Sequence, residues 1–233
     1  MRTFCFMRGK EALDFLQDII KAAGFKTAIG DYDWLERLFK EVHKRGIKSA
    51  PDYITIDSGD GGTGAAPMPL MDNVAMRIKE ALPPIADLMQ AYDLRQRTRL
   101  IVSGKLITPS EVAWALCAGA DFVTSARGFM FALGCIQAMR CHQNTCPTGV
   151  TTHNKRLQRG LDPNDKAVKV ANYCTNLRHD VEMIAHACGV DEPRKLKRKH
   201  MRIVQDTGRS ERMDKLHPEP KVKVKFEGDE ASA

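Results

Sequence analysis

The chain has 233 residues, of which 43% are hydrophobic and 28% are charged, proportions typical of one soluble domain that can bury a sizeable core. Its formal net charge is +7, but no apolar run approaches the roughly 18 residues of a membrane span. The start MRTFCFMRGKEALDF is too short and too charged for a secretory signal, so we expect a cytoplasmic protein with no membrane partner.

Helix-like and strand-like patterns alternate along the chain. Apolar residues recur with helical spacing at residues 13–23 and again at residues 35–42, and Gly46 follows the second run as a C-terminal stop. Short apolar runs bounded by turn residues predict four buried strands, which are GFKTAIG, DYITIDSG, RLIVSG and DFVTSARG. The expected order is therefore one helix followed by four strand–helix units.

Two later helices have marked N-termini. Thr108 occupies a capping position, with Pro109 at the first helical position and Glu111 where a capping box requires it. Asp162 offers a similar start to a long helix that we expect to end near Gly189.

The alternation predicts an α/β fold with a parallel sheet, either doubly wound or part of a (β/α)8 barrel. Each strand ends in Gly, Ser, Thr, Asp or Arg, which suits a ligand site built from the loops after the strands. Four strands are too few to close an eight-stranded barrel.

The densest basic run is RKLKRKHMR at residues 194–202. Such a run can bind nucleic acid or an anionic surface. Acidic residues alternate through the following stretch and no aromatic residues are interleaved, so we do not expect nucleic acid as a partner. We interpret residues 191–233 as a solvated basic extension to a domain at residues 1–190.

Three of the seven cysteines are clustered in CIQAMRCHQNTCP. Five residues separate Cys135 from Cys141, and four separate Cys141 from Cys146. The first two do not share a helical face, so they converge only if the helix RGFMFALGCIQAM ends near Cys141 and the following loop folds back. Thiolates with a proline after the last one are typical of iron–sulfur sequences, and three ligands favour a three-iron cluster.

Two alternatives remain open from the residues alone. Zinc could use the three cysteines with His142, although the gaps are wider than in most structural zinc sites. The trio could also be plain buried cysteines, which is how we interpret the other four. These four are Cys5, Cys117, Cys174 and Cys188.

Other candidate ligand-binding segments follow predicted strands. The glycine-rich stretch DSGDGGTGAAP at residues 57–67 exposes backbone N–H groups, but it matches neither the dinucleotide fingerprint nor a P-loop. VSGK at residues 102–105 and TSARG at residues 124–128 resemble the loops that bind phosphate in barrels.

Together these blocks resemble the FMN-binding synthase domain of the glutamate synthase family. The similarity runs over about residues 10–190 and is most specific in ADFVTSARGFMFALGCIQAMRCHQNTCPTGVTT. The resemblance implies the C-terminal half of a (β/α)8 barrel, an FMN cofactor, and a [3Fe–4S] cluster held by Cys135, Cys141 and Cys146.

The resemblance also implies roles for other residues. Lys26 and Asp60 correspond to catalytic positions, with Lys26 near the flavin and the substrate. The positions expected around the flavin are Gly61, Gly62, Thr63, Gly64, Ser103, Gly104, Lys105, Ser125, Ala126, Arg127 and Gly128.

The implied activity is FMN-dependent reduction of 2-iminoglutarate, formed from 2-oxoglutarate and ammonia, to glutamate. Electrons would pass through the cluster from an external donor. The family's glutaminase part and the first half of its barrel have no counterpart in the sequence, so a further chain supplying the other half-barrel is an expected partner. An N-methylglutamate synthase-like subunit and a non-catalytic electron-transfer or assembly subunit are the alternatives.

Overall fold

Four parallel strands form the centre of the computed structural model, which describes residues 22–61 and 68–226. They lie in the order β1-β2-β3-β4, so β1 and β4 form the two edges of the sheet in the described part of the chain. Their bounds are Gly24–Ala28 for β1, Tyr53–Asp57 for β2, Arg99–Ser103 for β3 and Phe122–Thr124 for β4. The predicted parallel sheet of four strand–helix units is confirmed.

The two faces of the sheet differ in burial. Alternate residues of the central strands are fully buried, among them Ile56 and Val102, which are partners in the register of β2 and β3. The other face includes Thr55 and Ile101, which are only half-buried. Because side chains alternate across a strand, one face packs against the helices while the other is only partly covered.

Helices follow each of the strands. The first four are α1 (Asp33–Arg45), α2 (Ile78–Ala91), α3 (Pro109–Ala118) and α4 (Arg127–Ala132), and they are followed by α5 (Lys155–Gln158) and the long α6 (Pro163–Ala187). The helix expected at residues 13–23 lies almost wholly outside the described residues. No helix of residues 22–61 and 68–226 is long and apolar enough to cross a membrane.

The predicted helix starts are confirmed at two sites. The Thr108 hydroxyl accepts a hydrogen bond from the Glu111 N–H, and the Glu111 carboxylate accepts one from the Thr108 N–H. The Asp162 carboxylate caps α6 by accepting from the Asn164 N–H at 3.0 Å. Side-chain acceptors at these positions satisfy N–H groups that lack intrahelical partners.

The C-terminal stretch packs against the rest of the molecule. Strands β5 (Arg202–Val204) and β6 (Ser210–Arg212) pair antiparallel and lead into the short helix α7 (Met213–Leu216). Leu196 and Met213 are buried in the same hydrophobic core as the sheet. The expectation of a solvated tail is therefore wrong for these residues, because isolated apolar anchors make contact without forming a periodic pattern.

Candidate functional site

Several predicted site residues lie in the strands of the sheet or in the loops that follow the carboxyl ends of these strands. Lys26 lies on the half-covered face of β1, and its Nζ is 2.8 Å from Oδ2 of Asp57 at the end of β2. The side chains are 64% and 37% exposed. The Lys26 ammonium is accessible from the half-covered face of the sheet.

Asp60 is held by its surroundings. Its Oδ2 accepts hydrogen bonds from the Ser58 hydroxyl at 2.9 Å and from the Ile78 N–H at 3.0 Å. Oδ1 lies 4.0 Å from Nζ of Lys105, and the side chain is 10% exposed. The carboxylate therefore fixes the loop after β2 onto the start of α2, and its assignment as a catalytic residue stays a prediction.

Lys105 makes its closest ion pair with a residue that the sequence did not single out. Its Nζ lies 2.5 Å from Oδ1 of Asp72. The hydrogen bond from Lys105 lowers the pKa of Asp72, despite partial desolvation, and the charges of Arg127 and Arg77 lower it further. Asp72 is thus a carboxylate surrounded by cations.

Arg127 connects the loops after β2 and β4. Its Nη2 donates a hydrogen bond to the Gly61 carbonyl at 3.1 Å. Gly62, Thr63 and Gly64 lie outside the described residues, so their assignment to the flavin stays a prediction. Arg127 nevertheless links Gly61, in the loop after β2, to the start of α4.

Gly104 lies where the loops after β2 and β3 approach closely. A Cβ at this position would lie 2.2 Å from Oγ of Ser58 and 2.9 Å from Cβ of Ile78. Those distances are shorter than any real contact, so only glycine fits without displacing its neighbours. The close approach places Lys105 beside Asp60 and Asp72.

The cysteine loop begins earlier than the sequence indicated. Helix α4 ends at Ala132, whereas we expected it to continue to about Cys141. Gly134 has a φ of +97°, the Gly134 N–H bonds the Phe131 carbonyl, and the Cys135 N–H bonds the Met130 carbonyl. This is a glycine C-cap with paired hydrogen bonds, and it terminates the helix before Cys135.

All three predicted cysteine ligands line one cavity. Cys135, Cys141 and Cys146 surround it together with Met130, Thr148 and Thr151 among others. All three are free thiols in this fold. The early end of α4 places Cys135 in the same loop as the other two.

Cys146 has an unusual thiol. Burial raises its pKa, but hydrogen bonds from the Thr148 hydroxyl and the Thr151 backbone lower it more, to about 6. The Cys146 sulfur and the Thr148 hydroxyl oxygen are 3.4 Å apart. Thiolate is the form of cysteine that binds metals, so this site favours the ligating state near neutral pH.

Three thiols lining one cavity are the type of donor that an iron–sulfur cluster requires. In the described ranges, no three His, Cys, Asp or Glu side chains converge closely enough to hold one metal ion. A zinc ion needs its ligands about 2.3 Å from one centre, whereas a polynuclear cluster spreads thiolates over several irons.

The residues assigned to FMN also fit an anionic group. Lys105 and Arg127 come from the loops after β3 and β4, and Arg77 contributes a third positive charge near Asp72. A phosphate that displaced Asp72 would meet the same cations. Cations on loops at the carboxyl ends of parallel strands are a usual phosphate environment in α/β proteins.

Comparisons with known proteins show which family the sequence is similar to. Residues 36–191 match the family model described as the conserved region in glutamate synthase. The glutamate synthase large subunit-like protein YerD of Bacillus subtilis is 39% identical over 219 residues, which is 92% of this chain and 41% of that protein. The archaeal glutamate synthase [NADPH] of Methanocaldococcus jannaschii is 33% identical over 61% of this chain and 28% of its own length.

The chain thus spans less than half the length of these relatives. Among solved structures, a double mutant of flavocytochrome b2 with sulfite bound aligns over 84% of this chain and 51% of its own chain, at 16% identity and with a TM-score of 0.39.

Proposed function

The chain belongs to the glutamate synthase family, and we propose that it provides the phosphate-binding loops and the cluster ligands of a glutamate-synthase-like oxidoreductase. In such an enzyme FMN would supply hydride to 2-iminoglutarate, formed from 2-oxoglutarate and ammonia, and a [3Fe–4S] cluster would supply its electrons from an external donor. We place this activity in the cytoplasm.

The observation that supports this proposal best is the cavity lined by Cys135, Cys141 and Cys146. Three thiols from one loop surround a common space, and one of them has its pKa lowered to about 6. The same loop continues from α4, whose first residue is Arg127. Cluster ligands and a flavin-phosphate cation therefore lie on consecutive segments of the chain.

The chain's own residues would act on the flavin through charge and position. Lys105 and Arg127 would bind the flavin phosphate, with Asp72 giving up its ion pair to the incoming anion. Lys26 would present an ammonium group on the half-covered face of the sheet, where it could stabilise negative charge on the ring or a substrate carboxylate. Asp60 would keep the loop after β2 in place.

A complementary half-barrel would complete the site. The half-covered face of the sheet contains Thr55 and Ile101, and β1 and β4 are its edges in the described part of the chain. Unpaired strand edges favour pairing with further strands. We propose that such strands, from the same protein or a second chain, close the barrel over the flavin.

Cofactor analysis of anaerobically purified protein tests the proposal. We expect iron and sulfide in a ratio of roughly three to four, as the cluster type requires. Cys135→Ser, Cys141→Ser and Cys146→Ser should each abolish both, because a serine oxygen is a poor substitute for a soft thiolate. Cys188→Ser, which lies outside the cavity, serves as the matched control and should retain both. Stoichiometric zinc without sulfide would contradict the proposal.

A further inference from the structure

A tyrosine of α6 reaches both loops that were assigned to the flavin phosphate. The Tyr173 hydroxyl lies 2.7 Å from the Ile107 carbonyl, in the loop after β3. The same hydroxyl lies 3.1 Å from the Ser125 hydroxyl, in the loop after β4. One side chain therefore joins two loops that are otherwise separated by α3.

The chemistry of these groups fixes the direction of each hydrogen bond. A carbonyl can only accept, so the single phenolic proton of Tyr173 points to Ile107. Ser125 must then donate its hydroxyl proton to the Tyr173 oxygen. Loss of the Tyr173 hydroxyl would free the Ile107 carbonyl and release the Ser125 hydroxyl at the same time.

Gly128 makes room for the tyrosine. A Cβ at Gly128 would lie 1.9 Å from the Tyr173 hydroxyl oxygen and 2.4 Å from its Cζ. The ring of Phe129 packs edge-on against the Tyr173 ring, with centroids 4.9 Å apart. Glycine at the second position of α4 therefore permits the tyrosine to dock, whatever contact Gly128 itself makes with a flavin.

We propose that Tyr173 is a positioning residue for the FMN phosphate, holding the loops after β3 and β4 at the spacing that Lys105 and Arg127 need. This inference rests on the proposed function. Each hydrogen-bonded residue lies two positions from a cation, since Ile107 follows Lys105 and Ser125 precedes Arg127. Loops that are already ordered bind a ligand without the entropic cost of ordering them.

Flavin titrations of the full chain test the inference. Tyr173→Phe removes the hydroxyl and keeps the ring. We expect the Kd for FMN to rise about tenfold, equivalent to ~1.4 kcal/mol, while the Kd for riboflavin, which lacks the phosphate, stays unchanged. Tyr92→Phe is the matched control, because it also loses a hydrogen-bonded hydroxyl, bound to Glu36 at 2.8 Å, at the end of α2. That variant should bind both flavins as the wild type does.

Hydrogen exchange measures the positioning role without any flavin. In Tyr173→Phe, amides at residues 104–108 and 125–129 should exchange faster, whereas those of β2 should not change. Gly128→Ala should have the same effect on exchange and on the Kd for FMN, since the new methyl group displaces the tyrosine. In a Tyr173→Ala background, Gly128→Ala should raise the Kd for FMN by a smaller factor than it does in the wild type.

Each result has a definite meaning. Unchanged FMN affinity in Tyr173→Phe, an equal loss of FMN and riboflavin, or unchanged exchange in both loops would overturn the positioning role while leaving the proposed function intact. A wild type that binds riboflavin as tightly as FMN would show that no phosphate site exists at these loops. A wild type that binds neither flavin, alone or together with a chain that supplies the complementary half-barrel, would overturn the proposed function, and the inference with it.

Discussion

The guanidinium of Arg198 lies 2.6 Å from the carboxylate of Asp87 on α2. Its Nη1 also donates a hydrogen bond to the His217 carbonyl at 2.7 Å. One side chain therefore connects two parts of the C-terminal segment and attaches them to α2. The Arg198 side chain is only 5% exposed. A cation from the basic run is therefore a buried structural group.

We expect Arg198→Met to lower the free energy of unfolding by roughly 2 kcal/mol, because removing the buried guanidinium leaves the partly buried Asp87 carboxylate without its counter-charge. Urea unfolding followed by circular dichroism measures the change. Lys199→Met is the control, since this neighbour in the same basic run is exposed, and it should change stability by no more than about 0.5 kcal/mol. Equal effects of the two changes would show that Arg198 contributes only surface charge.

A second prediction concerns the last short helix. Met213 is fully buried, whereas Leu216 of the same helix α7 is 37% exposed. Met213→Ala should cost about 3 kcal/mol of unfolding free energy, through lost burial and the cavity that remains. Leu216→Ala should cost much less. Thermal and urea unfolding of both variants would compare them directly, and a Met213→Ala protein as stable as the wild type would restore the interpretation of this segment as a solvated tail.

The strand–helix order could be predicted from the sequence because it depends on local patterns. Short apolar runs indicate buried strands, and specific residue types at fixed offsets indicate the helix caps at Thr108 and Asp162. The packing of the C-terminal segment could not be predicted in this way. Its anchors, such as Leu196 and Met213, are single apolar residues in a polar stretch, and only tertiary contact gives them meaning.

The candidate site was only partly visible for a similar reason. The cysteines were found by their spacing, and Gly134 was an available helix-stop signal that the helical pattern through Cys135 obscured. Asp72 and Tyr173 were missed because their partners lie far away in sequence. The Lys105–Asp72 bond spans 33 residues and the Tyr173–Ile107 bond spans 66 residues, and no local pattern encodes either distance.

The pKa of Cys146 predicts a pH profile for the metal-free protein. Its lowering from 9.0 to about 6 means that the thiolate, the reactive form, predominates above pH 6. The alkylation rate of Cys146 should therefore be near its maximum at pH 7 and decline as the pH falls through about 6. Mass spectrometry after iodoacetamide treatment would follow each cysteine separately.

Cys117 provides the internal reference for that experiment. Burial, followed by the proximity of Cys188, raises its pKa to about 12, so it should remain unmodified in the folded protein across the same range. Thr148→Val should move the Cys146 midpoint upward, because it removes a hydrogen bond to the sulfur. A Cys146 midpoint near the ordinary thiol value in the wild type would contradict the described hydrogen bonding.

Gly104 supports a prediction about the loop after β3. Gly104→Ala should lower the free energy of unfolding by about 2 kcal/mol, since the new methyl group must displace the side chains of Ser58 and Ile78. Gly30→Ala is the matched control, because no atom lies within 4 Å of the added Cβ and its φ is not in the left-handed region. Urea midpoints of the two variants decide the point. Equal midpoints would mean that the loops can move apart without cost.

Lys26 allows stability and catalysis to be separated. Its ion pair with Asp57 is exposed, and pairs of this kind contribute at most about 1 kcal/mol, so Lys26→Met should fold as the wild type does. If the ammonium stabilises charge on the flavin or substrate, turnover by the cofactor-loaded enzyme with its complementary half should fall by about 10² or more while flavin content is kept. Lys40→Met is the control, because Lys40 also forms an exposed ion pair, with Glu36 at 3.1 Å on α1. A steady-state assay of glutamate formation compares the two variants. If Lys26→Met and Lys40→Met retain the same turnover, Lys26 is a surface cation and has no catalytic role.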